Sequence, residues 1–256
     1  MYCSIRLLFL LLCFSVRIYA DPPSGRWVMT FDEECDGHTI DTAKWVSDRT
    51  DPAAVAQSKQ GLLSIRLPEN VVVHDGICHL NVKKRESIRG ISWTTAGMGT
   101  RIFHQEFGYY EARMRYGSAS GLNNAFWLDA ANSHTVHYEI DINEGHFPNS
   151  VNMTLHNWTG GHTSLGAEMK THDQLSRDFH VYGLLWTPNQ LTWFFDGKII
   201  HVEPAFGVSG EMRVYLSTAV MPWAGSVSSD LDGTSMDIDW VRIYQTQAEP
   251  PQSINR

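Results

Sequence analysis

Three carboxylates crowd into one short segment, Tyr138-Glu139-Ile140-Asp141-Ile142-Asn143-Glu144-Gly145. On a strand, successive side chains point to opposite faces. Glu139 and Asp141 then share one face, and Ile140 and Ile142 take the other, toward a core. Strict alternation would set Asn143 rather than Glu144 beside Asp141. A β-bulge at Ile142-Asn143 returns Glu144 to the acidic face, and bulges are frequent beside active sites. Three acids on one face repel, so at least one holds its proton near neutral pH unless a cation binds. One ionised carboxylate and one protonated carboxyl are what cleavage of a glycosidic bond requires, as nucleophile and general acid. Spacing alone leaves a metal site and a solvated acidic edge as rivals.

The elements around this segment read as strands. Alternating runs cover residues 62–67 after Gly61, 109–116 after Gly108, 151–156 and 236–244. Residues 191–195 run into the hairpin signal Asp196-Gly197, and 198–202 follow. Long amphipathic helices are absent from the pattern. Many short strands separated by turns predict two packed antiparallel sheets, a sandwich or jelly roll. No repeat or linker divides residues 21–245, which read as one domain. Residues 246–256, with Pro250 and Pro251, read as a frayed tail.

Composition narrows the partners. The chain has 256 residues, 43% hydrophobic and 19% charged, enough for a sizeable core. A formal charge of −8 with no dominant basic run argues against nucleic acid or an anionic membrane. Arg6 precedes an apolar run over 7–16, and Ile18 and Ala20 precede a cut ahead of Asp21. Residues 1–20 therefore read as a secretory signal, too short for a membrane span, which places the chain outside the cytoplasm, in the medium or periplasm. Cleavage would leave only Cys35 and Cys78, as one disulfide or as two separate buried thiols. Nine tryptophans fill a core or line a sugar-binding cleft, where indole faces stack on pyranose rings. A monomer without a membrane anchor is expected.

The run Glu139-Ile140-Asp141-Ile142-Asn143-Glu144 resembles the signature of glycoside hydrolase family 16, in the bulged form of laminarinases, agarases and carrageenases. Ordered matches continue along the chain. They include Phe31-Asp32-Glu33-Glu34-Cys35-Asp36-Gly37 within 27–45, residues 97–101 and 107–113, and Ala125-Phe126-Trp127-Leu128. Residues 179–197 and 239–244 complete the pattern. The resemblance implies an all-β, concanavalin A-like jelly roll with a concave cleft. It implies a secreted, retaining, endo-acting hydrolase of a β-linked polysaccharide. Glu139 would be the nucleophile and Glu144 the acid/base, with Asp141 between them hydrogen-bonded to Glu139. His156 would sit near the nucleophile, and Trp223 matches a late loop that carries a sugar-stacking Trp. Beside these, Trp127, Trp158 and Trp93 are read as further sugar contacts, and Asn124 and Asn123 as binders of hydroxyls or merely a turn. Trp186, Trp193 and Trp240 read as core. Catalysis would need no cofactor, while Glu34 and Asp239 match positions that hold a structural calcium.

β-1,3-Glucan and marine galactans are the candidate substrates. Residues 128–139 lack the Trp-Pro arrangement associated with laminarinases, and Gly145-His146-Phe147-Pro148-Asn149 is unlike their continuation. The expectation leans toward a galactan or unusual glucan, with Arg101, Arg113 and Arg115 as candidate partners of sulfate. A non-catalytic carbohydrate-binding protein on the same fold and a transglycosylase are the rivals.

Overall fold

The computed structural model describes residues 22–57, 61–130 and 137–247; the expected signal at 1–20 and the tail beyond 247 lie outside them. Two large antiparallel sheets make the body of the protein. The first runs in the order Thr163–Lys170, Ser150–Asn157, Tyr138–His146, Leu122–Asp129, Arg213–Val220, Gly97–Thr100 and Trp45–Ser47. The second runs Lys198–Pro204, Gln190–Phe195, His180–Trp186, Gly108–Arg115, Ser235–Thr246, Ile77–Asn81 and Val71–His74. Trp27–Glu33 also pairs with the long strand Ser235–Thr246, which therefore runs one residue past the expected domain end. A small third sheet joins Ser64–Arg66, Ile91–Thr95 and Lys83–Ile88. Among the described residues no helix is long and apolar enough to cross a membrane.

Alternation explains how the two sheets stack. Phe126, Leu128, Ile140, Met153 and Leu155 from the first sheet meet Tyr110, Met114, Leu184, Trp186 and Trp193 from the second in one buried cluster. Burying this apolar surface is the main favourable contribution to folding. Trp186, Trp193 and Trp240 are buried, as expected of core residues. The opposite face of the first sheet is left free to form a cleft.

Cys35 and Cys78 are joined in a disulfide with their Cα atoms 5.5 Å apart, tying the segment after the first strand to Ile77–Asn81. Glu34 and Asp239, the expected calcium carboxylates, each face a guanidinium instead. Glu34 accepts from Arg242 through both oxygens, at 2.7 and 2.9 Å, and Asp239 accepts from Arg113. A cation there would have to displace an arginine.

Candidate active site

The strand Tyr138–His146 carries the acids, and its bulge falls where parity requires it. Register against Leu122–Asp129 shifts between Phe126 and Trp127, which oppose Asn143 and Asp141 and skip Ile142. Register against Ser150–Asn157 shifts between Asp141 and Glu144. Ile140 and Ile142 enter the core. Asn143 also turns inward, where its amide donates to the Asn124 carbonyl at 2.8 Å and its Oδ1 accepts from the Tyr116 hydroxyl. Glu144 is thereby returned to the face of Glu139 and Asp141. Gly145 then points inward, because a Cβ there would lie 2.0 Å from the Tyr116 ring.

All three acids line one open cavity of about 450 Å³, together with Trp127, His156, Trp158, Trp223, Asn123 and Arg66. Cross-strand neighbours sort the contacts. Glu139 lies opposite Asp129 on one side and His156 on the other. Trp158 donates its indole N–H to Glu139 Oε2 at 3.2 Å. His156 Nε2 lies 3.0 Å from Asp141 Oδ2, an ion-pair contact not aligned as a hydrogen bond. Asp141 thus approaches His156, not Glu139 as expected, and its backbone carbonyl accepts from the buried Trp193 indole at 2.9 Å. The Asn123 amide donates to Glu144 Oε1 at 2.9 Å.

Burial sets the charges. Desolvation pushes the Glu144 carboxyl from near 4.5 up to about 8, reinforced by Asp141 and opposed by Asn123 and His156. Asp141 is raised well above its usual range, first by burial and then by Glu139 and Asp129. Glu139 is also raised by burial, but His156 and the Trp158 N–H pull it back. Burial thus favours the protonated form at Asp141 and Glu139 alike, and Glu144 keeps its proton near neutral pH. Burial lowers the His146 imidazole to about 4, so it is neutral there.

Parity also corrects two of the expected sugar contacts. Asn123, Ala125 and Trp127 face the cleft, so Asn124 faces inward. Asn124 binds backbone instead, accepting from Gly117 N at 2.9 Å and donating to the Gly145 carbonyl at 2.9 Å. Trp93 is 6% exposed and packs with Val82, Leu122, Val220 and Leu231, away from the cleft. Trp127 is held in the wall by its N–H to Ser217 Oγ at 3.1 Å and by stacking on Tyr215. Trp223 is 50% exposed on the Pro222–Ala224 turn, edge-on to His146. Arg113 and Arg115 belong to the other sheet, paired with Asp239 and Asp237, and Arg101 bonds the Thr42 carbonyl. The cleft's arginine is Arg66, bound to Asp48 and Ser217.

Of the two asparagines it is Asn123 that reaches the cleft, while His146 and Asp129 were missed although a two-residue step from Glu144 or Trp127 reaches each. Arg66, Ser217 and His162 carry no comparable signal. Among the described residues one group has the ligand atoms to hold a metal: Glu139, Asp141 and His156.

The family model described as glycosyl hydrolases family 16 matches residues 54–242. An endo-1,3-1,4-β-glycanase of Rhizobium meliloti is 33% identical over 63% of this chain and 36% of its own length. This chain thus spans about a third of that relative, and 34% of a second R. meliloti glycanase. A β-glucanase of Rhodothermus marinus is 28% identical, over 86% of this chain and 85% of its own. The laminarinase catalytic domain of Thermotoga petrophila shares the fold, with a TM-score of 0.76 at 24% identity, covering 88% of this chain and 100% of that one.

Proposed function

The chain belongs to glycosyl hydrolase family 16, and from that premise we propose that it is an endo-acting, retaining β-glucan hydrolase. The observation that carries this reading is the bulge, which puts a protonated Glu144 on the same cleft face as Glu139. The names of the relatives favour a β-glucan over the galactan toward which the sequence leaned. The arginine positions agree, since Arg113 and Arg115 are paired outside the cleft and Arg66 is neutralised by Asp48. Residues 1–20 are proposed as the signal that exports the chain.

A protonated Glu144 on the same cleft face as Glu139 supports a double displacement. Glu139 attacks the anomeric carbon while Glu144 protonates the departing glycosidic oxygen, and a glycosyl-enzyme forms. Glu144, now ionised, takes a proton from water, which attacks the same carbon and releases Glu139. Trp158 and His156 hold the nucleophile's side of the site, with His156 Nε2 against Asp141 Oδ2. Trp127 and Trp223 offer flat faces for sugar rings.

Incubation with laminarin, lichenan, agarose, porphyran and carrageenans tests the reading. Reducing ends and a ladder of short oligosaccharides from laminarin or lichenan support it. Release from a galactan alone overturns the substrate, products longer than the substrate reveal transglycosylation, and binding without cleavage overturns the activity.

A further inference from the structure

We propose that Glu139, Asp141 and His156 form a binding site for a transition-metal dication of the zinc type, and that the ion occludes the nucleophile. One oxygen of each carboxylate and one imidazole nitrogen all lie within 4.8 Å of one another. His156 Nε2 and Asp141 Oδ2 are already 3.0 Å apart. Tetrahedral zinc with bonds of about 2.0–2.2 Å sets its ligands roughly 3.4 Å from one another. The widest gap therefore closes by at most about 1.4 Å, a modest swing of the Glu139 side chain.

Two further observations point to a cation. Asp141 is 2% exposed, and its Oδ2 has no hydrogen-bond donor although it faces the cluster. A buried carboxylate oxygen in that position is stabilised by a proton or a cation. His156 Nδ1 lies 2.8 Å from His162 Nε2, and His162 stacks on Trp158 at 3.9 Å. With Nδ1–H donated to His162, the Nε2 lone pair turns to the carboxylates, the arrangement that orients metal-bound imidazoles. The fourth position opens into the cleft, where water completes the shell. Imidazole with carboxylates suits zinc, copper or nickel, whereas calcium takes six to eight oxygens.

The site rests on ligand geometry and not on the hydrolytic reading, so the two can fail separately. Calorimetric titration of the full chain with zinc chloride, without polysaccharide, measures it directly. We expect one zinc per chain and no heat with calcium chloride. His156→Ala and Asp141→Asn should weaken binding at least about tenfold, and His162→Ala about ten- to a hundredfold. Equal zinc affinity in wild type, His156→Ala and His162→Ala overturns the proposal, whether or not Asp141→Asn folds. With a cleaved glucan in hand, zinc should raise the apparent KM and leave kcat unchanged. Loss of kcat at constant KM would contradict occlusion of the cleft.

Discussion

The Trp158 indole donates to the Glu139 carboxylate at 3.2 Å, from a position one residue beyond the adjacent strand. The bond favours the ionised form of Glu139 against the burial that raises it. A hydrogen bond to a charged group contributes about 1.5–3 kcal/mol. Trp158→Phe keeps the ring and removes the donor. We expect kcat/KM to fall by about ten- to a hundredfold and the acidic limb of the pH profile to move upward. A pH profile identical to wild type would contradict this role.

Glu144 predicts the basic limb. Its carboxyl, near 4.5 when unfolded, titrates at about 8 in the fold, so the acid form is present below that value. The kcat/KM of the free enzyme should therefore fall as pH rises through about 8. Between the two values the folded state binds the extra proton, so this group's contribution to stability declines as pH rises from about 4.5 to 8. Glu144→Gln should abolish the basic limb and lower kcat on polysaccharide by about 10²–10⁴-fold. The variant should melt higher than wild type at pH 9 and level with it at pH 4. Melting curves at the two values decide this.

The site was legible wherever the two-residue period of a strand governs it. The excess residue between Asp141 and Glu144 announced the bulge, and the isoleucines announced the buried face. The same rule, applied from Trp127, selects Asn123 over Asn124, which residue type alone left as equal candidates. Trp93 has the type of a sugar platform, but the strands around it close a small second core over its ring. The partners of Glu34 and Asp239 lie 208 and 126 residues away, so no local spacing reveals that arginines hold them. His162 likewise enters only because the strand Ser150–Asn157 turns back on Thr163–Lys170.

Gly145 is required by Tyr116. That ring is buried, stacks on Tyr182 and bonds Asn143, so it cannot yield to a methyl group. Gly145→Ala should cost about 1–3 kcal/mol or more through overpacking. It should also reduce kcat, because Glu144 is the adjacent residue. A variant with wild-type melting temperature and turnover would contradict this packing.

The Cys35–Cys78 bridge spans 43 positions in sequence. Its removal should cost about 2–5 kcal/mol, as loss of native disulfides in secreted domains does. Intact mass before and after full reduction should differ by two hydrogens, and Cys78→Ala should lower the melting temperature. Equal masses would refute the bridge.

The proposed division of labour between Glu139 and Glu144 is tested most directly by azide rescue on an activated aryl β-glycoside. With Glu139→Ala, azide takes the nucleophile's place beneath the anomeric carbon, so the product should be the α-glycosyl azide. With Glu144→Ala, the glycosyl-enzyme still forms and azide replaces the activated water, so the product should be the β-glycosyl azide. The opposite pairing of variant and anomer, or wild-type turnover without azide in Glu139→Ala, would contradict the account.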